Sequence, residues 1–283
     1  MSGFITDVQN YTFLQYALFT GILASIACGI VGTYVTVRRI TSIAGAIAHS
    51  TLGGMGLAFY LNRECGLNFL SPIHGALFAA LLAAIVIGLV SIYSKQREDT
   101  ILSAVWAIGM AIGLFFISFT KGYNEDLMSY LFGNILMVSK NDLWIMIFLD
   151  IFIITICFCF YHKFLALCFD EEFAYIRGIN TKIYYLLLLI LTALTIVVLT
   201  QIVGIVMVIA LLALPVATIS PFAKRLSHMM IFGSFLCMIY TSLGLFISYE
   251  PEFPPGATII LLAGSVYFLV LISRSLCKKM YKK

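Results

Sequence analysis

Long apolar runs, broken by short clusters of charge, glycine, proline or asparagine, recur along the whole chain. An α-helix needs about 20 apolar residues to cross the hydrocarbon core of a bilayer. Read at that length, the pattern predicts segments at approximately 13–37, 41–61, 72–93, 101–119, 142–161, 183–200, 202–220, 228–248 and 258–273. The two segments around Gln201 form one stretch too long for a single crossing, which a division at Thr200–Gln201 or a re-entrant pair of half-helices fits equally well. The piece LMSYLFGNILMV at 127–138 is too short to span and is compatible with a segment that dips into the membrane and returns. No stretch remains for a sizeable water-soluble domain. The expectation is an all-α, polytopic transmembrane helical bundle of about eight or nine spans, with residues 1–283 forming one membrane domain.

Composition agrees. Hydrophobic residues make up 62% of the chain and charged ones 11%, with a mean hydropathy of +1.05, a balance that a protein with a watery surface could not keep in solution. The opening MSGFITDVQNYTFLQ carries no Lys or Arg before the first apolar run, so it lacks the basic region of a signal peptide and the first run is expected to be a retained span. With the N-terminus outside, fourteen of the 17 basic residues fall on the inner side, among them Arg38, Arg39, Lys163, Arg177, Lys182 and the C-terminal tail. Only Arg63, Lys121 and Lys140 fall outside. That asymmetry satisfies the positive-inside rule, so the C-terminus is expected in the cytoplasm and the N-terminus outside. The net charge of +4 then reflects topology and implies no nucleic-acid partner. The seven cysteines form neither a disulfide framework nor a CxxC pair. Cys157 and Cys159, two apart, do not share a helical face.

The informative residues are the polar ones that lipid would reject. In TSIAGAIAHSTLGGMGLAFYL, Gly45, His49, Gly53 and Gly56 fall at i, i+4, i+8 and i+11, on one helical stripe. Small residues let another helix approach, which places the imidazole inside protein near mid-depth. A neutral imidazole there is a ligand for zinc, manganese or iron, or equally a histidine satisfied by a neighbouring carbonyl or hydroxyl. Asp150 lies near the middle of the fifth segment with no basic residue in any span to pair with, which suits either a cation route or a protonated structural carboxyl. Glu64, His74, Glu250 and Glu252 fall at the predicted outer mouth, where carboxylates attract cations, although solvated loops explain them more simply. His162 and His228 flank spans on the inner side.

Between segments five and six, FDEEFAYIRGIN (169–180) opens with Asp170, Glu171 and Glu172, whose charges suit a helix N-terminus, and Gly178 is placed to end the turn. Such a cytoplasmic helix could dock a soluble partner through Phe173, Ala174 and Ile176, or be a solvated linker. No Gly-Lys dipeptide exists from which a phosphate-cradling loop could be built, so any ATP must be hydrolysed by another chain. The absence of HExxH and of clustered catalytic donors argues against a membrane-embedded enzyme. A secondary carrier or channel, with His49 and Asp150 as a proton relay, remains open.

The segment VRRITSIAGAIAHSTLGGMGLAFYL (37–61), the piece YLFGNILMVS (130–139), the loop FDEEFAYIRGIN, the stretch TQIVGIVMVIALLALPVAT (200–218) and PPGATIIL (254–261) together resemble the ABC-type permeases of zinc, manganese and iron importers, in the right order along nearly the whole chain. The resemblance implies a multi-pass permease of the bacterial inner membrane, working as a dimer of identical or paralogous subunits. It would receive metal from an extracytoplasmic binding protein and be driven by cytoplasmic ATPase subunits. The loop at 169–180 would be the coupling helix. The metal would be cargo, with no cofactor permanently bound. Permeases for iron chelates share the architecture, but the length and the second-segment pattern favour free ions. Many members carry Asp four residues before the His of the second span. Here that position is Gly45, as in a variant branch with Gly or Ala, which leaves the rest of the ligand set open. Asp150 is the candidate by depth and charge.

Overall fold

The computed structural model describes residues 2–67, 69–93, 98–120, 133 and 135–280. Among them the chain forms twelve α-helices and no strand: α1 Ser2–Asn10, α2 Thr12–Val37, α3 Thr41–Arg63, α4 Pro72–Tyr93, α5 Glu98–Phe119, α6 Lys140–Cys159, α7 Tyr161–Phe169, α8 Glu171–Ile176, α9 Thr181–Val203, α10 Ile205–Ile219, α11 Leu226–Tyr249 and α12 Pro255–Met280, with a 3-10 turn at Ile135–Met137 before α6.

Seven of these helices (α2, α4, α5, α6, α9, α11 and α12) are long and apolar enough to cross a membrane, which corrects the eight or nine spans expected from the sequence. The two that fall short do so for different reasons. Helix α3 has the length, 23 residues, but its glycines, Ser50, Thr51 and His49 dilute its apolarity. It can carry them because protein covers it: every residue from Ile43 to Gly56 is buried except His49. Helix α10 is apolar but has 15 residues, about 22 Å of rise against about 30 Å of hydrocarbon.

The long apolar stretch divides at Gly204 and not at Thr200–Gln201, which stays inside α9. Gly204 adopts φ 89° and ψ 155°, a backbone conformation closed to residues with a side chain. Apolar residues flank it on both sides, so hydropathy cannot mark it. The backbone of Gly133, at φ 66°, rests on this break, and a Cβ there would run into the carbonyl of Val203. Ile135 and Val138 beside it are buried. This is the described part of the short apolar piece, whose residues 127–132 and 134 lie outside the described residues.

Helix α2 is the centre of the bundle, packed against α11, α10 and α6. Gly21 faces Thr241 and Gly29 faces Ser234, which sets α2 antiparallel to α11. The C-terminal end of α2 therefore lies with the N-terminal end of α11. At that end Arg38 donates to Glu171 at 2.7 Å and to the carbonyl of Leu167 at 3.0 Å. Lys182 lies over Tyr93 and Arg274 over Phe222 at the same end. At the opposite end the Tyr249 hydroxyl donates to Asp7 at 2.8 Å. Arg38, Lys182 and Arg274, all read as inner, thus share one end of the bundle.

Candidate functional site

The site is built from α3 and α5. They run parallel in close contact because glycines face glycines: a Cβ on Gly53 would stand 2.5 Å from the carbonyl oxygen of Gly109, and one on Gly56 would stand 2.6 Å from that of Gly113. Only backbones without side chains approach so closely, and the packing they gain is what holds helices together in lipid. Ser50 donates its hydroxyl to the carbonyl of Ala46 at 2.8 Å and reaches the carbonyl of Val105 at 3.4 Å, so the hydroxyl inside this seam is satisfied. One turn before Gly53, His49 lies against Trp106 of α5, ring centroids 4.4 Å apart and planes within 10°. The imidazole is half-buried and its Nδ1 is enclosed without a hydrogen-bond partner. One turn further, a Cβ on Gly45 would meet nothing within 4 Å. The stripe Gly45–His49–Gly53–Gly56 thus has two parts. Its C-terminal half is a packing seam, whereas Gly45 borders open space next to an unpartnered nitrogen.

Chemically this is a single soft-to-borderline donor at depth. No group of three or more His, Cys, Asp or Glu able to hold a metal occurs among the described residues, so His49 stands without other such donors grouped around it. An apolar hollow of about 270 Å³ between α3, α4 and α5, lined by Gly53, Gly54, Phe78, Ala79 and Ile108, offers an ion no donor except the neighbouring Ser50 hydroxyl.

Asp150 is not brought to His49. It belongs to the inward stripe Met146, Leu149, Asp150, Ile153 and Cys157 of α6, and α6 packs chiefly on α2 and α9 and not on the seam of α3. The carboxyl is 5% exposed and its Oδ2 has no partner. Cys28 lies close enough to feel it electrostatically, and Cys28 in turn meets Cys237 of α11.

At the basic end, α8 forms as its sequence dictates. Asp170 is the N-cap, accepting from the Phe173 amide at 2.9 Å. Glu171 and Glu172 occupy the first turn, and Gly178 closes the helix at φ 79°. Ala174 points inward and is fully buried, so it cannot meet a partner as its place in the sequence suggested. Phe173, Tyr175 and Ile176 are the large exposed side chains. Glu171 is tied to Arg38, three residues before the start of α3 at Thr41, which connects this helix mechanically to the one bearing His49.

The other candidates are spread out. His74 is engaged in its own helix start, where its Nδ1 meets the Ser71 hydroxyl at 2.8 Å. His162 lies against Tyr161, and His228 against Phe232. The residue missed in the sequence is Trp106. The available signal was that Trp106, Gly109 and Gly113 stand at i, i+3 and i+7, matching His49, Gly53 and Gly56 at i, i+4 and i+7.

Known proteins share this architecture. The chain is 43% identical over 250 residues to a probable metal transport system membrane protein of Chlamydia trachomatis, covering 88% of this chain and 85% of that one. It is 33% identical over 269 residues to the manganese transport system membrane protein MntC of Listeria monocytogenes, covering 95% and 93%. Among solved structures, PsaBC from Streptococcus pneumoniae in complex with Fab superposes with a TM-score of 0.84 at 32% identity, covering 95% of this chain and 94% of that chain. The model of the ABC 3 transport family matches residues 10–274, and the chain, a multi-pass all-helical membrane protein, belongs to that family.

Proposed function

We propose that this chain is the permease subunit of an ABC importer that carries a divalent metal ion, manganese foremost, into the cytoplasm. The observation that carries the proposal is likeness over 95% of the chain to proteins whose names state manganese transport. Two copies of the subunit enclose the path, each contributing His49. A divalent ion takes at least about four ligands, so two imidazoles are completed by water or other oxygen donors that are easily exchanged. Weak coordination suits a transporter, which must also release its ion. Asp150 has no ligand role in this path, because its helix packs chiefly on α2 and α9 and not on the seam of α3.

The binding protein delivers the ion at the end that holds Asp7 and Tyr249, with the N-terminus outside and the basic end in the cytoplasm. ATP is hydrolysed by separate ATPase subunits, which engage the exposed Phe173, Tyr175 and Ile176 of α8. Arg38, bonded to Glu171, passes that movement to the start of α3 and so to His49.

The test is uptake of radiolabelled manganese, zinc and iron by cells expressing this permease with its ATPase and binding protein. Manganese uptake that stops on ATP depletion is expected, and His49→Ala should lower it on the order of a hundredfold in a normally assembled complex. Uptake that survives ATP depletion would replace the importer with a secondary carrier, and uptake unchanged by the substitution would remove His49 from the path.

A further inference from the structure

We propose that Trp106 is a positioning and affinity-setting residue for His49, holding the imidazole flat against its indole so that the ring keeps one orientation and is stabilised when it carries a cation. The proposal rests on the transport function above and assigns to that path a residue from a second helix.

Geometry carries it. The stack, at 4.4 Å and 10°, is not a chance contact of two flexible rings. The backbones of α3 and α5 are locked in register by Gly53 against Gly109 and Gly56 against Gly113, and Gly109 in turn would place a Cβ 2.8 Å from the Cα of Ser50. With that register fixed, Trp106, three residues before Gly109, must fall beside His49, four residues before Gly53. The indole covers a face of the imidazole, which can accept no hydrogen bond there. Nδ1 has no partner within the protein, although an enclosed nitrogen without one is costly, and next to it the Gly45 position is empty.

When His49 ligates a divalent ion, its ring takes on positive charge, and an indole face within about 6 Å is the aromatic surface that stabilises a cation best. The stack therefore strengthens on loading. It also fixes ring orientation, as second-layer contacts do for ligating histidines elsewhere, in place of a carboxylate on the far nitrogen.

The experiment compares native permease, Trp106→Phe and Trp106→Ala in the assembled complex, measuring manganese uptake as KM and maximal rate. For Trp106→Ala the KM is expected to rise about 2- to 30-fold, the range that a cation–π contact converts to, with the maximal rate within about twofold. Trp106→Phe should recover most of the loss, since a phenyl face still stacks. A second readout is independent of transport. The chain holds two tryptophans, so Trp144→Phe leaves Trp106 as the sole tryptophan, and manganese added to that purified protein should quench its tryptophan fluorescence unless His49 is replaced by Ala. Native KM in Trp106→Ala, or quenching that ignores His49, would overturn the proposal. If instead the native complex itself takes up no metal while the quench persists, the importer function fails and the stack stands.

Discussion

His49 and Asp150 are both ionisable residues set within apolar helices, yet they are housed in opposite ways. His49 interrupts an otherwise buried run of α3, keeps an unpartnered Nδ1, and borders empty space at Gly45. Asp150 is 5% exposed and lies on the inward stripe of α6 with Leu149 and Ile153, near Cys28 of α2. Polarity at depth is thus not what marks a residue for an ion path. What distinguishes the two is the surroundings of the residue: His49 is half-buried with the open Gly45 position on its helix face, whereas Asp150 is buried in the core.

The largest effect is expected where the His49 housing depends on backbone contact. Gly53→Val would force a branched side chain into the Gly109 carbonyl, and since both surfaces are backbone, neither can yield without parting α3 from α5. We expect a loss of about 3 kcal/mol, read as a fall of several degrees in the thermal unfolding of the purified complex. Unchanged unfolding would mean that α3 and α5 are not held in this register, and the Trp106 stack would lose its basis.

A smaller, sharper change comes from Gly45→Asp. Nothing lies within 4 Å of the new Cβ, so folding should be unaffected or slightly improved by leaving glycine out of a helix. The carboxylate would arrive one turn from His49, on its face, adding a hard oxygen donor that manganese favours. The expected result is a fall in the KM for manganese on the order of tenfold, with a slower maximal rate because a tighter site releases its ion less readily. An unchanged KM would show that the Gly45 side of His49 does not face the ion.

Much of this was legible from the sequence, and the gaps have physical causes. Apolar runs located the lipid-facing helices, and Asp170 and Gly178 marked the ends of α8. Helix α3 was counted with the spans although its composition is that of a helix enclosed by protein. The break at Gly204 escaped because conformation, not polarity, makes it, and the backbone of Gly133 that rests on it is far away in the chain. Ala174 was read as a docking residue because a turn of helix does not reveal which side its neighbours cover. Above all, Trp106 is an ordinary membrane aromatic until α5 is known to lie parallel to α3, and only then do two glycine patterns become one seam with a ring pair at its end.

The smallest effect is expected at Asp150, and it bears most directly on the comparison. Asp150→Asn keeps the size of the side chain and removes its capacity for charge. If such surroundings are what qualify a residue, manganese uptake should stay within about twofold of native, since no transition-specific contact is lost, and Tm should change little because the replaced Oδ2 had no partner to lose. A large loss of uptake in a normally assembled complex would mean that α6 turns Asp150 toward the ion during the transport cycle. Depth and charge would then have been the better guide, and the buried position near Cys28 one state of a moving path.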